Sequence, residues 1–192
     1  MISKNYKNNF LKNKNILVTG ASKGIGKCVT ENLSMLGANI IMLSRNEIEL
    51  DKIYDSVKEK YKTKPFIINC DLEDLDENRA QEVADIIFEN YKNLDAVIFN
   101  AAVLEKMSDI VSYDLKTWNK VIKINLTSSF ILSKYLISLM ESSSNPRIIF
   151  TSSSAGKLSQ AFWGAYAISK AGIDSLATVS YTHLTLPTIF RV

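Results

Sequence analysis

"NILVTGASKGIG", Asn15 to Gly26, is the stretch whose reading decides the fold. Ile16 to Val18 is a short apolar run of the kind that forms a buried strand, and Gly20, Gly24 and Gly26 follow it with a tight turn leading into a helix. Glycines at such a turn let backbone N–H groups at the helix N-terminus approach an anion such as a pyrophosphate, where the helix dipole favours negative charge. The placement between strand and helix carries this reading more than the glycine count does.

Outward from that turn the chain alternates strands with amphipathic helices. Ile25, Val29 and Leu33 recur every four residues, and Gly37 marks the end of their helix. "ANIIML" (Ala38 to Leu43) reads as a second strand, and Leu50, Ile53, Tyr54, Val57 and Tyr61 as one face of a second helix. "PFIIN" (Pro65 to Asn69) is a third strand, Val83, Ile86, Ile87 and Tyr91 a third helix face, and "LDAVIF" (Leu94 to Phe99) a fourth strand. One long helix is expected from about Leu115 to Met140, then a fifth strand, "RIIFTS" (Arg147 to Ser152), and a helix around Tyr166. Alternation of this kind predicts an α/β, Rossmann-like, doubly wound parallel sheet, and right-handed crossovers give the strand order 3-2-1-4-5.

Composition bounds the function. The 192 residues are 46% hydrophobic and 22% charged with net charge +3, which suits one globular domain with a sizeable core. The basic, Asn-rich "MISKNYKNNFLKNK" lacks the apolar block of a signal peptide, and no run is long enough to cross a bilayer, so a cytoplasmic location and no membrane partner are expected. Cys28 and Cys70 match no metal-ligand spacing, which predicts reduced thiols and no metal. No Lys/Arg cluster interleaves with aromatics, so no nucleic-acid partner is expected.

The TGxxxGxG spacing of Thr19 to Gly26 resembles the short-chain dehydrogenase/reductase family in its single-domain branch. Later motifs extend the likeness: "CDL" with Asp71 after the third strand, "FNAA" with Asn100 and Ala101 after the fourth, Asn125 in "KINLTSSF", and Ser153, Tyr166 and Lys170. "FNAA" departs from the family's NNAG, with Phe99 for the first Asn and Ala102 for the Gly, and an Ala102 methyl is expected to crowd or reshape the pocket floor. "FTSSSAG", "WGAYAISK" and "YKNLDAVIFNAAVL" most resemble the YciK-like bacterial oxidoreductases. The resemblance implies a cofactor cleft made by Thr19, Gly20, Ser22, Lys23, Gly24, Ile25, Gly26, Arg45, Asp71, Leu72, Asn100 and Ala101, with Tyr166 and Lys170. Asp71 would contact the adenine.

The implied reaction is hydride transfer between a nicotinamide and a carbonyl or alcohol carbon of a small molecule. Tyr166 and Lys170 stand four apart, so a helix sets the ammonium beside the phenol. Proton exchange near pH 7 asks for a shift of roughly 3 units from a free tyrosine, or about 4 kcal/mol of electrostatic help. Ser153, chosen over Ser152 and Ser154 by the family interval to Tyr166, would hydrogen-bond the substrate oxygen, and Asn125 would hold a water linking Lys170 to solvent. The second strand ends in Ser44, Arg45 and Asn46 rather than an acid; Arg45, with Lys23, can pair with a 2′-phosphate, so NADP(H) is the expected cofactor. Gln160, Phe162, Trp163 and Leu104 either line a substrate pocket or belong to core or interface. Two alternatives stand beside this: a noncatalytic NADP(H)-binding sensor or scaffold, and a 3-oxoacyl thioester reductase. The family's homodimers and tetramers are expected of the full-length parent.

The likeness covers about Lys12 to Thr178 and lacks the family's last two strands. "VSYTHLTLPT" (Val179 to Thr188) back-translates to the end of a widely used transposase sequencing adapter. The expectation is therefore an incomplete domain over residues 1–178 and a non-native tail over 179–192, with no role for His183, an open edge at the fifth strand, and little or no activity in this chain.

Overall fold

The computed structural model describes residues 9–180 and 190–191. Five strands, β1 (Asn15–Thr19), β2 (Asn39–Ser44), β3 (Phe66–Asn69), β4 (Ala96–Phe99) and β5 (Arg147–Phe150), pair in parallel in the order 3-2-1-4-5. Helices α1 (Gly24–Met35), α2 (Glu47–Lys60), α3 (Glu77–Tyr91), α4 (Leu115–Ile122), α5 (Ser128–Met140) and α6 (Gly164–Ser180) cross over between or follow them. β1 is buried at all five positions because helices cover both faces of the sheet.

Side chains alternate between two cores, as the period of a strand requires. Leu17, Ile41, Leu43, Val97, Phe99, Ile148 and Phe150 face α3, α5 and α6. Ile16, Val18, Ile40, Met42 and Ile98 face α1 and α2. Phe99, where the family has Asn, stacks on Phe150 with ring centroids 4.9 Å apart and so belongs to the core. Side-chain caps start three helices: Asn46 accepts from Glu49 N–H, Asp76 from Arg79 N–H and Asp114 from Thr117 N–H. α1 begins after Lys23, whose side chain makes no capping bond.

Four features depart from the sequence reading. α1 does not bury Ile25, which is 65% exposed; Gly26, Thr30 and Ser34 are its buried positions, while Val29 and Leu33 pack at the core margin. Small residues let this helix lie close to the sheet, so apolar period alone points at the wrong face. The expected long helix is two helices joined by a π-helical turn, Lys123–Thr127, in which Ser128 N–H bonds the Lys123 carbonyl and Ser128 Oγ donates to the Ile124 carbonyl at 2.7 Å. α6 runs two residues past Thr178, with Ser180 buried and its hydroxyl on the Leu176 carbonyl at 2.8 Å.

The fourth departure corrects the expected open edge. A two-residue strand, β6 (Phe190–Arg191), pairs in parallel with Ile149 and Phe150, so the sheet order is β3-β2-β1-β4-β5-β6 and the β5 edge is partly paired. His183 and the other residues of 181–189, and the first eight residues of the basic N-terminal stretch, lie outside the described residues.

Candidate active site

A cleft of about 440 Å³ opens at the carboxyl ends of β1 to β4, where chain direction across the sheet switches between β1 and β4. Parallel α/β sheets bind their ligands at this place. Its walls come from the turns after the four strands: Gly20 to Ile25, then Ser44 to Asn46, Cys70 to Leu72, and Asn100 to Val103, with Ile124 from the π-helical turn.

The glycine turn is built for close backbone approach. Gly20 has φ +65°, and a Cβ there would stand 2.9 Å from Ala101 Cα. A Cβ on Gly26 would lie 2.2 Å from the Gly20 carbonyl oxygen and 2.7 Å from Asn100 Nδ2, so α1 can start here only with glycine. Gly24 differs: its φ is +53°, yet a Cβ would meet nothing within 4 Å, because that side of the turn faces open space. Together with the uncapped first turn of α1, this leaves a cradle of backbone donors that fits a pyrophosphate.

Of the residues expected to hold a cofactor, Gly20, Ser22, Lys23, Gly24, Ile25, Arg45, Asp71, Leu72, Asn100 and Ala101 line the cleft. Thr19 and Gly26 do not; they lie behind it as framework. Thr19 is buried, and its hydroxyl accepts the Asn100 and Ala101 N–H groups at 3.1 Å each. Asn100 Nδ2 donates to the Thr19 carbonyl at 3.2 Å, tying the turn after β4 to the turn after β1. Ser22 and Ser44 hydroxyls meet at 2.9 Å and join β1's turn to β2. Ala102 lines the cleft without a positive φ, so its methyl is compatible with the local backbone. Arg45 Nη1 bonds Asp71 Oδ2 at 3.2 Å, so the residue expected at a 2′-phosphate and the one expected at the adenine form an ion pair. Outside this cleft, Lys120 Nζ pairs with Glu105 at 2.8 Å and stands 3.8 Å from Glu73, with which it lines a separate surface pocket.

Tyr166 and Lys170 stand on α6 and do not line this cleft; the link to its β4 side runs through Thr151, which follows β5 and whose N–H bonds the Phe99 carbonyl. Lys170 is 97% buried, its Nζ donates to the Thr151 carbonyl at 2.7 Å, and it lies 5.7 Å from the Tyr166 ring centroid. Burial pushes the Lys170 ammonium down to about 8, opposed by the Asp174 carboxylate. Ser153 Oγ accepts the Ala155 N–H at 3.2 Å and caps the 3₁₀ turn Ser154–Gly156. A Cβ on Gly156 would be 2.8 Å from Ala171 N and from the Lys170 carbonyl carbon, so this turn rests directly on α6. The half-buried Trp163 ring stands 5.8 Å from Tyr166, whereas Gln160 and Phe162 are exposed and Leu104 is at the surface.

Asn125 has its side chain committed. Its Oδ1 accepts the Val103 N–H at 2.8 Å, and its Nδ2 donates to the Val103 carbonyl at 2.9 Å and to Ser169 Oγ at 3.0 Å. These three bonds tie the Asn125 side chain to Val103 and Ser169. Val103, Ile124, Ser169 and Thr151 are the site residues the sequence reading did not single out. Only the adjacency of the first two to Asn100–Ala102 and Asn125 could have drawn attention to them.

Comparison with known proteins accords with this geometry. Residues 14–185 match the family model described as short chain dehydrogenase. The chain is 34% identical over 173 residues to the uncharacterized oxidoreductase YciK of Escherichia coli K12, covering 90% of this chain and 69% of that protein. It is 32% identical over 174 residues to the 3-oxoacyl-[acyl-carrier-protein] reductase FabG of Rickettsia prowazekii, covering 89% and 67%. The crystal structure of a short chain dehydrogenase from Shigella flexneri 2a complexed with NADP superposes with a TM-score of 0.90 at 33% identity, covering 93% of this chain and 75% of that one. A turn of three glycines after β1, a cleft over the sheet's switch point and a Tyr–Lys pair on α6 therefore go with a sequence match over most of the chain: the protein belongs to the short-chain dehydrogenase family.

Proposed function

We propose that this chain binds NADP(H) and that its parent protein is an oxidoreductase interconverting a carbonyl and an alcohol on a small molecule. The observation that supports it most is a buried lysine one helical turn from a half-buried tyrosine, beside a cleft whose glycine turn leaves room for a pyrophosphate. When bound, the nicotinamide supplies or accepts the hydride. The residues present fit it: the turn after β1 and the α1 N-terminus would hold the pyrophosphate, Arg45 after β2 and Lys23 in the β1 turn would be the cations for a 2′-phosphate, and Asn100 to Val103 would form a wall of the cleft.

Tyr166 Oη gives a proton to the substrate oxygen during reduction and recovers it during oxidation. Lys170 stands as a cation 5.7 Å from the Tyr166 ring centroid, and its bond to the Thr151 carbonyl fixes the ammonium there. Ser153 Oγ accepts the Ala155 N–H and keeps its own O–H to donate to the substrate oxygen. Asn125 acts by positioning: it locks Val103, a wall of the cleft, to the α6 residue Ser169.

The FabG likeness favours a 3-oxoacyl thioester as the second substrate class to try. We read the location as cytoplasmic, since Cys28 and Cys70 are free thiols and no helix among the described residues is long and apolar enough to cross a membrane. Homodimers or tetramers belong to the same reading, and sedimentation tests them. The function is tested by NADPH oxidation with a panel of ketones, aldehydes and 3-oxoacyl thioesters. Tyr166→Phe should cut turnover by about 10²–10⁴-fold while leaving NADPH binding intact. Turnover equal to wild type in that variant overturns the assignment of Tyr166. The same assay on the 192-residue chain tests its expected inactivity.

A further inference from the structure

The ion pair between Arg45 and Asp71 sits inside the cleft, not on a remote surface. Both side chains line the end where β2 and β3 finish, next to Ser44 and Asn46. Asp71 is held from two sides: Oδ2 takes Arg45 Nη1 at 3.2 Å, and Oδ1 accepts the Glu73 N–H at 3.0 Å. The backbone bond keeps the carboxylate in place, so it is the Arg45 side chain, 54% exposed, that has freedom to choose a partner.

The charge near a 2′-phosphate is therefore smaller than the sequence suggests. Arg45 is matched by Asp71, while Lys23 forms no ion pair among the described residues. Lys23 and Arg45 are the only cations among the described residues that line this cleft, and Lys120, outside it, is matched by Glu105 and Glu73. A phosphate dianion arriving at Arg45 must compete with a carboxylate for the same guanidinium and also feels its repulsion. A ribose with a free 2′-hydroxyl meets no such opposition and can leave the pair intact.

We propose that Asp71 is a specificity-determining residue: by holding Arg45 it keeps the preference for a 2′-phosphorylated adenosine below what Arg45 and Lys23 alone would produce. The proposal rests on the dinucleotide-binding reading above. It concerns only the adenosine end of the cleft and needs no turnover.

The test is calorimetric binding of adenosine 2′,5′-bisphosphate and of adenosine 5′-monophosphate to the wild-type chain, Asp71→Asn, Arg45→Gln and the double variant. Any adenine contact made by Asp71 is common to both ligands, so the ratio of the two affinities isolates the 2′-phosphate. Asp71→Asn should raise that ratio by about threefold or more, the scale of one partly exposed charge pair. Arg45→Gln should lower it, and removing Asp71 in the Arg45→Gln background should raise it less than in wild type. Asp71→Ser, which keeps an acceptor for the Glu73 N–H, serves as a second variant if the asparagine chain does not fold. A ratio in Asp71→Asn or Asp71→Ser that is unchanged or lower overturns the proposal while leaving dinucleotide binding standing. A folded wild-type chain that binds neither nucleotide overturns both.

Discussion

Asn125 and Val103 are joined by two hydrogen bonds, the carboxamide oxygen taking the Val103 N–H and the carboxamide nitrogen giving to the Val103 carbonyl. The π-helical turn brings Asn125 to this position, and the third bond, to Ser169, carries the clamp onto α6. Asn125→Ala leaves the Val103 N–H and carbonyl without these partners beside a buried site. The expected loss is about 2–3 kcal/mol of unfolding free energy in urea titration, the scale of orphaned buried polar groups. A loss under about 0.5 kcal/mol would mean the clamp is dispensable.

Lys170 carries a pH signature. Its amine sits near 8 in the folded chain against 10.5 for a free lysine, so folding disfavours the charged form. That cost, about 3 kcal/mol at most, is fully present below pH 8 and is relieved as the pH rises from about 8 to 10.5. Lys170→Met removes it, although the Thr151 carbonyl then loses its donor. The variant should melt no lower than wild type at pH 7, and its advantage should shrink as the pH approaches 10. A stability difference independent of pH would show that Lys170 titrates as an ordinary lysine.

Two glycines of one turn should fail in different ways. Gly26→Ala places a methyl against the Gly20 carbonyl and should destabilise the fold by about 2–4 kcal/mol, the range of overpacking at an unyielding backbone. Gly24→Ala meets no atom and costs only its left-handed backbone, about 1 kcal/mol. Its methyl enters the cradle, so NADPH affinity should fall at least tenfold while the melting temperature barely moves. Equal losses of stability in the two variants would contradict this division between framework and binding surface.

Much of the fold is legible because each strand is a short apolar run bounded by turn residues, and the parallel order follows from the helices between them. Ile25 shows where that logic ends: apolar period counts it as core, but the sheet accepts only Gly26, Thr30 and Ser34 at close range, and Ile25 is left to line the cleft. The π-helical turn is illegible for a related reason, since one extra residue in a helix scarcely changes the spacing of Val121, Ile124 and Leu132. Tyr166, Lys170 and Ser153 could be named from motif spacing. Their supports, Thr151, Ser169 and Val103, act through backbone groups or small hydroxyls that leave no compositional trace. The Arg45–Asp71 pair joins residues 26 positions apart, and only the neighbouring ends of β2 and β3 bring them together.

The measurement that bears most directly on the central claim is titration of the purified chain with NADPH and with NADH, followed by reduced-nicotinamide fluorescence, with circular dichroism to establish that the chain is folded. The account predicts saturable binding at one site, tighter for NADPH than for NADH, and weakened for both by Gly24→Ala. A folded chain that shows no saturable binding of either dinucleotide would contradict it.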